Sequence, residues 1–134
     1  VNQLLRKNQG WIFMEGKVSN ERKIELVAKH KFGIHGRINE PFGIAPAEMV
    51  KAGCLVWVAS GGGQVEVVNH PGLIYKDIED AVNKIERALI NQTIQLSLRK
   101  HLSEQAKKFS TERYKQEIRD VVSQFLMEES RNLN

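Results

Sequence analysis

Apolar positions in this chain follow two kinds of pattern, short continuous runs and longer stretches with helical spacing. Trp11-Ile12-Phe13-Met14 is the first continuous run and predicts a buried strand. Ser19-Asn20 then offers an N-cap, and Glu21-Arg22 opens a helix through about residue 30 whose Ile24, Val27 and Ala28 share one face. Residues 31–35 read as a second strand, ending in a loop over residues 36–39. A helix follows over about 43–52. Its first turn holds Pro46, whose missing N–H costs little there, and Gly53 ends it in the left-handed conformation. Leu55–Ala59 is the clearest strand, since its unbroken apolar character means burial on both faces. Ser60-Gly61-Gly62-Gly63 predicts a tight loop before a helical turn over about 64–68. Asn69-His70-Pro71-Gly72 is a turn, and Leu73-Ile74-Tyr75 a last short strand.

Three helices close the chain over about residues 77–128. Asp77 caps the first, with Asp80 at its third position as a variant capping box, and Ile78, Ala81, Val82, Ile85 and Leu89 form its apolar face. The second spans about 93–109, with Ile94, Leu98, Leu102, Ala106 and Phe109 on one side. The third starts near Ser110-Thr111 and carries a stripe of Tyr114, Ile118, Val121, Val122 and Phe125 that is expected to be buried. Fraying is expected after Glu129. Strand alternating with helix predicts a parallel sheet sandwiched by helices, a Rossmann-like α/β fold in one domain over residues 1–134. Ligands in such sheets bind at the carboxyl ends of strands, so the loops at 36–42 and 60–63 should open onto one edge.

Composition narrows the class. The 134 residues, 41% hydrophobic and 27% charged, suit one globular domain with a real core. No apolar run reaches membrane-spanning length, and the first residues carry no signal-peptide pattern. The single cysteine, Cys54, excludes an internal disulfide and a thiolate metal cluster; it lies in an apolar run, as a buried inert thiol would. A reducing compartment, most simply the cytoplasm, fits this usage. The formal net charge of +4 is spread along the chain. Its largest cluster, Arg99-Lys100-His101 with Lys107-Lys108 further on, comes with no nucleic-acid recognition motif and reads as a solvated helix face.

Candidate chemistry concentrates in Glu40-Pro-Phe-Gly-Ile-Ala-Pro-Ala-Glu48. A helix start here presents unpaired N–H groups and a partial positive charge, and Gly43 lets an anion approach the backbone. Phe42, Gly43, Ile44 and Ala45 are the candidate anion-binding residues, although the same segment also fits an ordinary loop-to-helix joint. Glu48, inside the helix, can accept both hydroxyls of a ribose or stand as a dipole-favoured surface acid. Glu40, held extended before Pro41, can accept sugar hydroxyls or stand as a solvated loop acid.

Glu40 to Glu48 resembles the paired-glutamate motif, seven residues between the two acids, of retaining GT-B glycosyltransferases of the group 1 type. The resemblance continues through Glu48-Met49-Val50-Lys51-Ala52-Gly53-Cys54-Leu55-Val56, Gly62-Gly63-Gln64-Val65-Glu66-Val67-Val68, a Gly72-Leu73-Ile74-Tyr75 stretch, an aspartate-capped helix and the Phe109-Ser110 joint. From about residue 11 to residue 126 the order of elements matches the later part of the family's C-terminal, nucleotide-sugar domain. The family often has Ala at Met49 and Pro at Leu55, and a Pro-Ser pair before Glu40 where this chain has His35-Gly36-Arg37-Ile38-Asn39.

The resemblance implies that Glu48 binds the donor ribose, Glu40 contacts donor sugar hydroxyls, and backbone N–H groups of Gly43, Ile44 and Ala45 hold the diphosphate. His35, Arg37, Gly62 and Gly63 are secondary candidates at the same edge, each equally readable as packing or solvated loop. No residue is assigned a catalytic role. The donor is a nucleotide diphosphate sugar, no cofactor is implied, and no metal is expected, since the chain has no Asp-x-Asp motif and the family is metal-independent. The first two strands of the family's domain, with their Arg/Lys diphosphate clamp, and the N-terminal acceptor domain have no counterpart in these residues. The chain therefore reads as part of a parent enzyme, cytoplasmic or at the inner face of the membrane with peripheral contact there, and is expected to be inactive alone. With its neighbouring strands missing, the run at residues 11–14 is expected to pair with the strand at residues 32–35 or with a second chain as a homodimer through the open edge. The alternative is a non-catalytic interaction module on a degenerate domain, using the basic helical tail against a partner or anionic lipid.

Overall fold

The computed structural model describes residues 2–8 and 10–132. In chain order the helices are α1 (Asn2–Lys7), α2 (Asn20–Lys29), α3 (Ile44–Lys51), α4 (Gln64–Val68), α5 (Ile78–Ile90), α6 (Gln92–Lys108) and α7 (Thr111–Asn132). The strands are β1 (Phe32–His35), β2 (Leu55–Ala59) and β3 (Ile74–Tyr75), and a 3-10 turn at Pro71–Leu73 leads into β3.

The three strands form one parallel sheet in the order β1-β2-β3. Phe32 pairs with Leu55 and His35 with Val58, while Val58 and Ala59 pair with Ile74 and Tyr75. All three strands therefore end at one edge, where His35, Ala59 and Tyr75 lie. β2 is buried at every position, as its unbroken apolar run requires. Trp57 is the largest fully buried side chain, and its indole N–H donates to the Gly72 carbonyl at 3.2 Å, so its one polar atom is satisfied. Helices α3, α4 and α6 pack on β2, with Val50, Val67, Leu98 and Leu102 in the shared core. The Rossmann-like α/β architecture expected from the strand–helix alternation is present.

Local sequence signals account for the helix ends. Ser19 Oγ accepts from the Arg22 N–H at 3.2 Å, and Ser110 Oγ accepts from the Arg113 N–H at 3.2 Å. Asp77 accepts from the Asp80 N–H at 2.9 Å while Asp80 reaches back to the Lys76 N–H at 3.0 Å, a capping box displaced by one residue. Gly53, at φ 88°, ends α3 in a Schellman turn: its N–H donates to Val50 and that of Cys54 to Met49, both at 3.0 Å. The Cys54 thiol donates to the His30 carbonyl at 3.0 Å, and burial raises its pKa, as befits an inert packed thiol.

Three expectations are corrected. Residues 11–14 form no strand; Trp11, Phe13 and Met14 are exposed in a loop, and the amides of Trp11 and Ile12 bond to the Asn8 carbonyl in a turn. They do not pair with β1, whose described partner is β2 alone. An apolar run becomes a strand only where a neighbour completes its ladder, and none of the described residues offers one. The stripe on α7 is exposed rather than buried, with Tyr114, Ile118, Val121, Val122 and Phe125 all open to solvent. Amphipathic spacing marks a helix that needs an apolar partner without saying where that partner is. The faces expected on α2 and α5 hold only in part. Val27 packs on the core while Ile24 and Ala28 are exposed, and Ala81 is buried and Ile85 packed on the core, with Ala88 buried beside them, while Ile78, Val82 and Leu89 are exposed. On α6 the expected face holds: Leu98 and Leu102 are buried, with Ile94, Ala106 and Phe109 packed beside them.

Two histidines brace the turn before β3. His70 Nδ1 accepts from the Gly72 N–H at 3.0 Å, and its ring meets that of His101 edge-on with centroids 5.0 Å apart. Burial first, and the neighbouring His101 second, hold the His70 pKa below its ordinary 6.5. Protonation is thus easier in the unfolded chain, so this contribution to stability is complete above the ordinary histidine pKa and is lost as pH falls through the folded one. Urea unfolding is expected to show lower stability at about pH 5 than at about pH 7. His70→Asn, which keeps a side-chain acceptor for Gly72, should flatten that decline; an unchanged decline would assign it to other groups.

Candidate functional site

The carboxyl ends of β1 and β2 carry the two loops that build the site. After β1 the chain runs through Gly36, Arg37, Ile38 and Asn39 to Glu40, which forms an isolated parallel bridge with Gly62 in the loop after β2. The Gly63 N–H donates to the Glu40 carbonyl at 2.7 Å. Glycine is required here by proximity. A Cβ on Gly62 would lie 2.2 Å from the Glu40 carbonyl oxygen, and one on Gly63 would lie 2.5 Å from the Pro41 oxygen. Gly62 also sits at φ 77°, in the left-handed region. Gly62 and Gly63 therefore act through their backbones, clamping the loop that carries Glu40.

Gln64, the first residue of α4, locks the same junction. It is fully buried, and its amide nitrogen donates to the carbonyls of Arg37 at 2.7 Å and Ala59 at 2.8 Å, with Gly61 further off at 3.3 Å. Three carbonyls around one end of the amide fix its orientation with the NH2 toward them. Its oxygen is buried without a hydrogen-bond partner among the described residues. The α-carbon of Gln64 also lies only 3.0 Å from where a Cβ on Gly43 would stand, so α4 and the start of α3 touch through a glycine.

The Glu40 carboxylate is mostly covered, at 16% exposure, and Arg37 Nη1 lies 3.1 Å from its Oε2. His35 Nε2 is 3.9 Å from the same oxygen, beyond hydrogen-bond length, and is itself buried and unbonded. The Tyr75 hydroxyl donates to the His35 carbonyl at 2.9 Å, tying the ends of β1 and β3 together. Glu40, His35, Arg37, Gly62 and Gly63 are thus brought into one cluster.

Next to it begins α3. Gly43 is its N-cap at φ 97°, in the left-handed region, and no side chain caps it. Pro46 is buried and has no N–H to satisfy, whereas Ile44 and Ala45 are exposed and their N–H groups precede the first intrahelical bond, from Ala47 to Gly43. The helix start therefore presents uncapped donors to solvent. Phe42 is half exposed and packs edge-on against Phe109 at 6.0 Å, which anchors the loop to the end of α6. Glu48, one turn further along α3, faces α2: Lys23 Nζ donates to its Oε1 at 2.8 Å. No hydrogen bond or ion pair among the described residues joins the Glu48 carboxylate to the Glu40 cluster.

Two residues of this arrangement escape sequence reasoning. Gln64 stands beside the glycine run, and only its position opening a helix after three glycines hints at a buried amide. Lys23 carries no sequence signal, because 25 residues separate it from Glu48. A cavity of about 480 Å³ beside His70, Arg87 and Ile94 lies near the turn that leads into β3, away from the cluster at the strands' carboxyl ends.

The family model for glycosyl transferases group 1 matches residues 3–109. The chain belongs to this family, whose activity is the transfer of glycosyl groups. No curated protein matches it. Among the described residues no helix is long and apolar enough to cross a membrane.

The close approach of Gly62 to Glu40 makes a direct prediction. Gly62→Ala combines a left-handed backbone with a clash against backbone, and should lower stability by more than about 2 kcal/mol in denaturant unfolding. Gln64→Leu, which strands the carbonyls of Arg37 and Ala59, should cost about 1–3 kcal/mol. Wild-type unfolding midpoints for both variants would contradict the clamp.

Proposed function

We propose that this chain forms the donor-binding part of a retaining glycosyltransferase of GT-B architecture that takes a nucleotide diphosphate sugar. The observation that carries the reading is the uncapped start of α3, with the exposed residues Ile44 and Ala45 ahead of the first intrahelical bond, set beside a carboxylate whose loop is fixed by the Gly62 clamp. In this reading the diphosphate lies on the N–H groups of Gly43, Ile44 and Ala45. The helix dipole stabilises the charge that grows on the leaving group as the glycosidic bond breaks. Glu40, oriented by Arg37, accepts hydroxyl hydrogens of the transferred sugar, and Glu48 accepts those of the ribose. The Phe42 ring borders the same entrance, and His35 supports the Glu40 side.

Binding by backbone donors and a helix terminus needs no divalent cation, so the proposal includes metal independence. The acceptor site is assigned to a further domain of a larger enzyme, and the chain alone is expected to bind donor weakly without turning it over. The apolar face of β1 at Phe32 and Ile34 and the stripe on α7 give such a domain, or a second copy at the open sheet edge, surfaces to cover. We place the parent enzyme in the cytoplasm, with or without peripheral membrane contact. The same exposed stripe is the one observation that favours a non-catalytic interaction module instead.

Calorimetric titration with UDP-, GDP- and ADP-sugars separates these readings. One of them should bind, unchanged by EDTA, and Glu48→Ala or Glu40→Ala should weaken that binding about 10-fold or more, the loss expected for a hydrogen bond to a charged group. Absence of binding to all three, or binding indifferent to both glutamates, would remove the donor-site claim and leave the interaction module.

A further inference from the structure

Helix α2 turns one cation toward α3. Along α2 the other charges are used locally: Arg22 pairs with Glu15 at 2.6 Å and with Glu25 at 2.8 Å, and Lys29 also pairs with Glu25. Lys23 instead donates across to Glu48 Oε1 at 2.8 Å. The side chains of Lys23 and Glu48 are 43% and 41% exposed, so the pair is open to water and exchanges partners readily. Glu48 Oε2 has no partner among the described residues. The acid assigned to the ribose therefore already holds a cation when the site is empty.

Building on the donor reading above, we propose that Lys23 makes this site selective for phosphorylated nucleosides. It rests on Glu48 in the empty site and passes to the ligand's own phosphate when a ribose diol takes the carboxylate. A diol binds a carboxylate by donating both hydroxyls to its oxygens, so Oε1 must be freed or shared. The lysine ammonium, a compact charge with three donors on a flexible four-carbon stem, can follow a new anion without any backbone movement. Glu48 lies one helical turn, about 6 Å along the axis, from the start of α3, where the phosphates are assigned. A nucleoside diphosphate spans that interval and offers Lys23 an anion to replace the one it gives up. A free nucleoside takes Glu48 and offers nothing in return, so it is disfavoured. Charge is conserved in the exchange: one ion pair opens and another closes, and no covalent bond changes.

The test uses the full 134-residue chain and compares UDP, GDP and ADP with uridine, guanosine and adenosine by calorimetry or amide chemical shifts. For the base that binds, Lys23→Met should lower the preference for diphosphate over nucleoside about tenfold, the scale of one charge-assisted hydrogen bond, by weakening the diphosphate, tightening the nucleoside, or both. Lys23→Arg, which keeps the charge, should recover most of the loss. Equal shifts for diphosphate and nucleoside, or no shift for either, would overturn the proposal. Glu48→Ala measured alongside keeps the two claims apart. If it weakens both ligands while Lys23→Met leaves their ratio unchanged, the donor reading stands and the role of Lys23 falls. If the wild-type chain binds neither class, or Glu48→Ala binds as wild type does, the donor reading falls and this inference with it.

Discussion

Glu40 and Gly62 come from loops after different strands, yet their backbones bridge, and the missing side chain of Gly62 is what lets them meet. That contact fixes where the chain can turn into α3. Gly63 donates to the Glu40 carbonyl, the Gln64 amide gathers the carbonyls of Arg37 and Ala59, and Gln64 in turn abuts Gly43 at the helix start. A loop carrying an acid and a helix carrying free N–H donors are thereby held in one relation by backbone atoms rather than by long side chains. Backbone-to-backbone positioning costs little side-chain entropy and gives a site with few ways to relax.

Electrostatics then works on that frame. Both candidate carboxylates are balanced by a cation, Glu40 by Arg37 and Glu48 by Lys23. If the start of α3 holds a phosphate as proposed, an unpaired acid beside it would repel the ligand, whereas a paired acid retains free lone pairs for hydroxyls while its charge is offset. The cationic partners are on the chain's own loop and on α2, so the site carries its compensation with it. Membership of the group 1 glycosyl transferases gives this arrangement its chemical context, glycosyl transfer.

Much of this was legible in the sequence because local rules governed it. The caps at Ser19, Asp77 and Ser110, the Gly53 terminator and the buried β2 all follow from short-range geometry and from unbroken apolar character. The glutamates and the glycines stood out as residues, but why Gly62 must be glycine emerged only once the two loops were seen in contact. The roles of Gln64 and Lys23 did not show in the sequence, because the Arg37 carbonyl that Gln64 ties to its own loop and the Glu48 that Lys23 meets lie 27 and 25 residues away. Residues 11–14 and α7 misled for one shared reason. Apolar periodicity reports a need for burial, and whether the need is met depends on neighbours that a pattern within one segment does not specify.

The central claim is that the phosphate-bearing ligand sits at the start of α3, beside the Gly62 clamp. Backbone amide shifts of the labelled chain, followed during titration with nucleoside diphosphate sugars, test it most directly. The account predicts the largest shifts at Gly43, Ile44, Ala45 and Gly62, with Lys23 responding alongside. Largest shifts around His70, Arg87 and Ile94 instead, or no localised shifts, would contradict it.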